Sequence, residues 1–204
     1  MKKIISTLLI LTMALTAVSC VKLGGDPVDK RFYRLTPERS GEPALPQGDI
    51  VLKVRRMTVS DLYNSRELVY QLRDGGIESD FYNLFFVTPG NNLTTELRNW
   101  LGASGQFSHI IKPGSMVIPT LTLEGMVNSL YGDYATDHPA AVIEMQFFLV
   151  NESTADNDIV FSRSYRQRVP VTKPDPQELV QAMTKGVQAI FTQLEQDLAK
   201  APLY

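Results

Sequence analysis

The C-terminal part of the chain constrains the fold most tightly, because three successive stretches alternate apolar and polar residues with a period of two. Leu121, Leu123, Gly125 and Val127 face one way in 117–130, and Ala141, Ile143, Met145, Phe147 and Leu149 do so in 141–150. In 159–169, Ile159, Phe161, Tyr165 and Val169 alternate with Val160, Ser162, Ser164, Arg166 and Arg168. Every second side chain of a pleated strand points the same way, so each stretch predicts a strand with one buried and one wet face. The polar breaks at 131–139 and 151–158 make the three an antiparallel meander. The period then changes. Lys173-Pro174-Asp175-Pro176 signals a helix start with Asp175 as cap. Leu179, Met183, Val187, Ile190, Leu194 and Leu198 follow at helical spacing, widened by Val180 and Phe191. The opposite side carries Gln181, Lys185, Gln188 and Gln196. A polar face rich in Gln instead of Lys and Arg favours packing on a sheet over lying on a membrane.

Upstream, Arg31 to Leu35 is a short strand candidate, 37–49 a proline- and glycine-rich loop, and 50–59 another alternating strand. Residues 66–73 and 77–87 predict a hairpin turning at Asp74-Gly75-Gly76. Thr88 and Pro89 open a helix whose apolar face is Leu93, Leu97, Trp100 and Leu101, ended by Gly102 and Gly105, with a short strand at 106–112 after it. The expectation is an α+β two-layer sandwich: a mostly antiparallel sheet of about seven strands, with two amphipathic helices packed on one face. No internal repeat or second folded domain is visible.

The first twenty residues have a different character. Met1-Lys2-Lys3 is positive, Ile4 to Val18 is largely apolar, and Ala17-Val18-Ser19 precedes Cys20, the only cysteine. This is the order of a secretory signal, with an apolar run shorter than the roughly 20 residues of a membrane span. The segment resembles the lipobox of bacterial lipoproteins, which makes 1–19 a signal peptide and Cys20 the acylated (palmitate-bearing) residue. Residues 20–30 form a flexible tether, and 31–204 the folded domain. By resemblance to the enterobacterial sorting rule, Val21 after the cysteine points to the outer membrane, on the periplasmic side. Removing 1–19 from the 204 residues leaves 185, with 18 Lys+Arg against 22 Asp+Glu, a net charge of −4. Such a chain has no electrostatic pull on nucleic acid.

The sequence offers little to catalyse with. His109 lies in an apolar strand candidate, and Asp133, Asp137 and His138 share a loop of a kind common without metals. No G-x-S-x-G elbow, phosphate loop, dinucleotide fingerprint or H-E-x-x-H occurs. The reading is a non-enzyme with no cofactor and no metal.

The order of features carries more than any one of them. Cys20 is followed by Phe32-Tyr33-Arg34-Leu35, then the 50–59 strand, then Tyr63-Asn64-Ser65-Arg66-Glu67-Leu68-Val69-Tyr70, Trp100 in a helix, the meander and the closing helix. Over about 31–200 this resembles the ABC-type transport auxiliary lipoproteins of the PqiC type, in which a Tyr-x-x-x-Arg-x-x-Leu-Val-Tyr-like pattern crosses two strands. The resemblance implies an accessory of an intermembrane lipid transport system, acting by docking. Its implied partners are the membrane, an ABC transporter and a mammalian-cell-entry (MCE) domain protein, with phospholipid as cargo and homo-oligomers open. Gln146, Phe148, Arg166 and Arg168, on the wet strand faces, mix polar and apolar character as protein interfaces do and are the candidate partner surface. Two other roles stay open: a structural lipoprotein assisting outer-membrane assembly, and an anchored periplasmic hydrolase.

Overall fold

A computed structural model describes residues 29–46, 48–154 and 156–202. The signal segment, Cys20 and most of the tether lie outside the described residues. The strands are β1 (Arg31–Tyr33), β2 (Val51–Val54), β3 (Thr58–Val59), β4 (Glu67–Gln71), β5 (Ile77–Phe85), β6 (His109–Ile111), β7 (Leu121–Asp133), β8 (Ala140–Asn151) and β9 (Ile159–Pro170). The helices are α1 (Pro89–Ser104) and α2 (Pro176–Leu198).

The alternation at the C-terminal end builds the frame. β7, β8 and β9 pair antiparallel, with Leu123 opposite Leu149 and Met145 opposite Tyr165. Their inward residues Leu123, Ile143, Met145, Phe147 and Leu149 are fully buried. A bulge between Val127 and Ser129 shifts the parity of β7, so that Leu130 turns inward in place of Ser129.

The apolar stripe of α2 covers this inner face. The Asp175 carboxylate accepts the Glu178 backbone N–H at 2.9 Å, and Pro176 holds the first helical position. Leu179, Met183, Val187, Ile190, Phe191, Leu194 and Leu198 are all completely buried. Gly186 is the point of closest approach, since a Cβ there would run into the Ile143 side chain. α1 packs beside α2: the Trp100 and Phe191 rings meet edge-on at 5.7 Å. The two helices thus share one face, and the α+β two-layer reading holds.

The sheet is mostly antiparallel as expected, and it adds two details: it has nine strands among the described residues, and the shorter ones pair parallel. The 50–59 segment breaks into β2 and β3, and these with β4 run successively parallel to β7, pairing Leu52 with Leu121, Thr58 with Met126 and Tyr70 with Gly132. β1 lies parallel to β5, and β6 parallel to β2. Alternation reports a pleated strand, but it carries no sign of strand direction. The meander and the β4–β5 hairpin, with its turn at 74–76, are antiparallel as expected.

Local corrections have local causes. Thr88 makes no side-chain cap; its carbonyl instead accepts the N–H groups of Asn91 and Asn92 at 3.1 Å. Gly102 sits inside α1, and the helix ends at Gly105, whose φ of +72° suits only glycine well. β7 runs on to Asp133, into the expected loop, because Gly132 and Asp133 still pair with Ala141 and Ala140. Ile159 is 61% exposed, because a register shift opposite Leu149 and Val150 takes it out of the inward set.

Candidate functional site

The polar face of the meander is the surface the sequence nominates. Phe148 pairs with Glu124 and Ser162, and Gln146 with Met126 and Ser164, both half-buried on the side away from the helices. On the next rung Arg166 reaches across to Glu144 at 2.7 Å, with 61% of its side chain exposed. Such an exposed pair contributes about 0–1 kcal/mol, so it holds the fold weakly and remains open to exchange with another partner. Arg168 is on the same face but is committed within the domain. It pairs with Asp133 and donates to the His138 carbonyl at 2.8 Å, pinning the 134–139 loop to β9. Gln146, Phe148 and Arg166 thus lie on neighbouring rungs of this face, and Arg168, 43% exposed, shares the face with its guanidinium paired to Asp133.

Two features frame that patch. Tyr63, the last residue of the 3₁₀ turn Asp61–Tyr63, stacks flat on Tyr131 at 5.9 Å over the outer face of β7. Burial pushes its hydroxyl above the usual tyrosine range. Arg55 pairs with Glu124 beside Phe148. The patch presents one ring, one thioether (Met126), an amide and paired charges.

The other residues of the Tyr63–Tyr70 pattern are braces. Arg66 Nε donates to the Phe85 carbonyl at 2.9 Å, tying the two strands of the hairpin. Leu68 and Val69 are core. The Tyr70 hydroxyl donates to Asp80 at 2.7 Å, and the Tyr70 ring stacks on Tyr134 at 5.5 Å. Burial, then the Asp80 contact, drives the Tyr70 hydroxyl far above its ordinary value. Asp80 moves down: burial alone would raise it, but hydrogen bonds from Tyr70, Asn83 and the backbone outweigh that.

The chemistry-bearing residues are scattered. His109 is exposed on β6. Asp133 and Asp137 are each paired with an arginine, Arg168 and Arg73. Among the described residues, no group of three or more His, Cys, Asp or Glu could hold a metal ion. One concavity of about 400 Å³ is lined by Asp137, His138, Arg168 and Thr172, and two more run along α2. One of about 510 Å³ is lined by Pro170, Lys173, Asp175, Glu178 and Lys185, and one of about 430 Å³ by Tyr33, Thr36, Val180, Thr184 and Gln188. The second lies between the chain after β1 and α2, a juxtaposition that no local pattern announces.

The family model for ABC-type transport auxiliary lipoprotein components matches residues 33–195. Among solved structures, a Xanthomonas campestris protein of the DUF330 family is 20% identical, with a TM-score of 0.70 over 80% of this chain and 92% of its own. An uncharacterised protein is 18% identical, with a TM-score of 0.64 over 83% and 99%. A hypothetical protein of Chlamydia trachomatis is 8% identical, with a TM-score of 0.53 over 72% and 96%. At these identities the likeness is one of fold. No curated protein matches the sequence.

Proposed function

Because the chain belongs to the family of ABC-type transport auxiliary lipoprotein components, we propose that it serves an ABC/MCE-type intermembrane lipid transport system from the periplasmic side, by docking and without turnover of its own. Acylated Cys20 holds it to the outer membrane, and Gln146, Phe148 and Arg166 contact the MCE-domain partner. The observation that carries the reading is the extent of the family match, which runs from β1 into the last turns of α2. The outer-face patch is consistent with it. Its ring and Met126 supply apolar area, and the exposed Arg166 supplies a charge-assisted donor, a combination enriched where proteins meet.

The test is capture of the full-length tagged chain from cells that express its neighbouring operon, after gentle crosslinking. Recovery of an MCE-domain protein is expected, and Phe148→Thr, which keeps a strand-favouring residue opposite Glu124 and Ser162, should abolish it while circular dichroism shows the variant still folded. Recovery of a barrel protein alone would replace this reading with a role in outer-membrane assembly.

A further inference from the structure

Four aromatic rings stand in water at the edge of the sheet where the folded chain begins. Phe81 is 63% exposed, Phe86 62%, Phe32 50% and Tyr82 44%. Their exposure is built in. Across the hairpin Leu68 alone stands opposite residues 80–83, because Glu67 pairs with Leu84 and Val69 with Ser79. The excess chain bulges outward, and Asp80 fixes its shape. One carboxylate oxygen accepts the N–H groups of Tyr82 and Asn83 at 2.8 and 2.9 Å, and the other accepts the Tyr70 hydroxyl at 2.7 Å and the Asn83 amide at 2.9 Å. A bulge braced this way re-aims the side chains at its tip. The tip here is Phe81 and Tyr82, edge-to-face at 5.2 Å.

Cations complete the patch. Lys30 Nζ lies 3.9 Å over the Phe81 ring, and the Arg66 guanidinium 5.3 Å over Phe32, which meets Phe86 edge-to-face at 6.2 Å. We propose that this surface lies against the membrane, with its rings at the headgroup level of a bilayer containing anionic lipid. The inference rests on the reading of Cys20 as the acylated residue. Lys30 is ten residue steps from Cys20, a reach of at most about 35 Å at 3.3–3.6 Å per residue. Lys30 and Phe32 belong to the patch, so along the chain no other described surface is nearer the anchor. Tethering raises the local concentration of bilayer at that surface, and a small patch then suffices. Tyrosine favours the membrane–water boundary, as Tyr82 would, phenylalanines supply the apolar side of interfacial surfaces, and Lys30 and Arg66 complement an anionic leaflet.

The full-length acylated chain tests this in vesicles of phosphatidylethanolamine and phosphatidylglycerol with brominated acyl chains. Native Trp100 is buried and acts as the internal control. Phe81→Trp adds a reporter in the patch, and Ile159→Trp adds one on β9, at the far side of the sheet. Both sites are more than half exposed, so neither change disturbs the core. Flotation reads the anchor; bromine quenching reads the orientation. All three proteins should float. The added emission of Phe81→Trp should fall by about half, as for rings about 5–10 Å into the headgroup boundary, while Ile159→Trp stays bright. Flotation with equal quenching at both sites, or none, overturns the patch and leaves the anchor standing. Failure to float overturns the anchor and the patch with it. Protection of Phe81→Trp by an added MCE-domain protein, without bromine quenching, would assign the surface to a protein instead.

Discussion

Removing the Glu195 carboxylate should unpin three parts of the molecule at once. Glu195, on α2, accepts a two-pronged contact from Arg39, with Nε at 3.0 Å and the terminal nitrogen at 2.8 Å, and the Trp100 indole N–H at 2.7 Å. Arg39 lies in the loop after β1 and Trp100 in α1, so one carboxylate joins loop and both helices. The side chains of Arg39 and Glu195 are only 11% and 17% exposed, and the Glu195 hydrogen bond holds the guanidinium above its ordinary pKa. Glu195→Ala leaves Arg39 with the Gly41 and Glu42 carbonyls alone and takes away the Trp100 acceptor. Losing one partner of a buried pair costs about 3–5 kcal/mol, and the residual water access here argues for the low end, about 3. For a domain of this size that is a fall in melting temperature of about 6–12 °C. Urea unfolding of Glu195→Ala, Arg39→Ala and the double variant reads both the loss and the coupling. The double variant should cost clearly less than the sum of the singles. A loss below about 1 kcal/mol, or additive singles, would refute the claim that this carboxylate staples the layers.

Three further outcomes follow from the same contacts. Among the described residues the buried Tyr134 hydroxyl has no hydrogen-bond partner, and burial, then Asp175 and Glu178, pushes it up to about 12, so Tyr134→Phe should raise stability by about 1 kcal/mol in urea unfolding; a loss would mean the hydroxyl is bonded. Asp80 is held below the usual carboxylate range in the folded chain, so its contribution is complete above the unfolded value of about 3.9 and lost as pH falls through the lower folded value; the stability gap to Asp80→Asn should be constant at neutral pH and shrink below about pH 4. Cys20→Ala should release the chain into the soluble periplasmic fraction or stall it as uncleaved precursor, and normal amounts of the variant in the outer-membrane fraction would rule out lipid as the anchor.

What could be read from the sequence is what periodicity encodes. The stripe of α2 and the inward residues of β8 were fully legible, because each pattern reports one face and that face is buried. Strand direction was not, because Leu52, Thr58 and Tyr70 reach β7 through pairings 60 to 70 residues apart in the chain that leave no local mark. The placement of Gln146, Phe148, Arg166 and Arg168 on one strand face was legible from the period of two; the ion pairs they make were not. Arg168 looked like its neighbour Arg166, and each is ion-paired, Arg166 across the strands to Glu144 and Arg168 to Asp133 with a further bond to the His138 carbonyl, partners that no local pattern announces. The aromatic bulge was missed because Phe81 and Tyr82 read as ordinary members of an apolar strand. The available signal was Asp80 before them and Asn83 after, both turn-forming residues inside a strand candidate.

Docking of an MCE-type partner on the outer face of the meander is the proposal on which the function rests. A photo-crosslinking residue placed at Gln146 or Phe148 of the full-length chain, in cells carrying the whole transport operon, tests it most directly, with position 159 as the control on the same sheet. Crosslinks to the MCE-domain protein from 146 and 148, and none from 159, are the expected result. Crosslinks to that protein from 159 alone, or to no MCE-domain protein from any of the three, would contradict it.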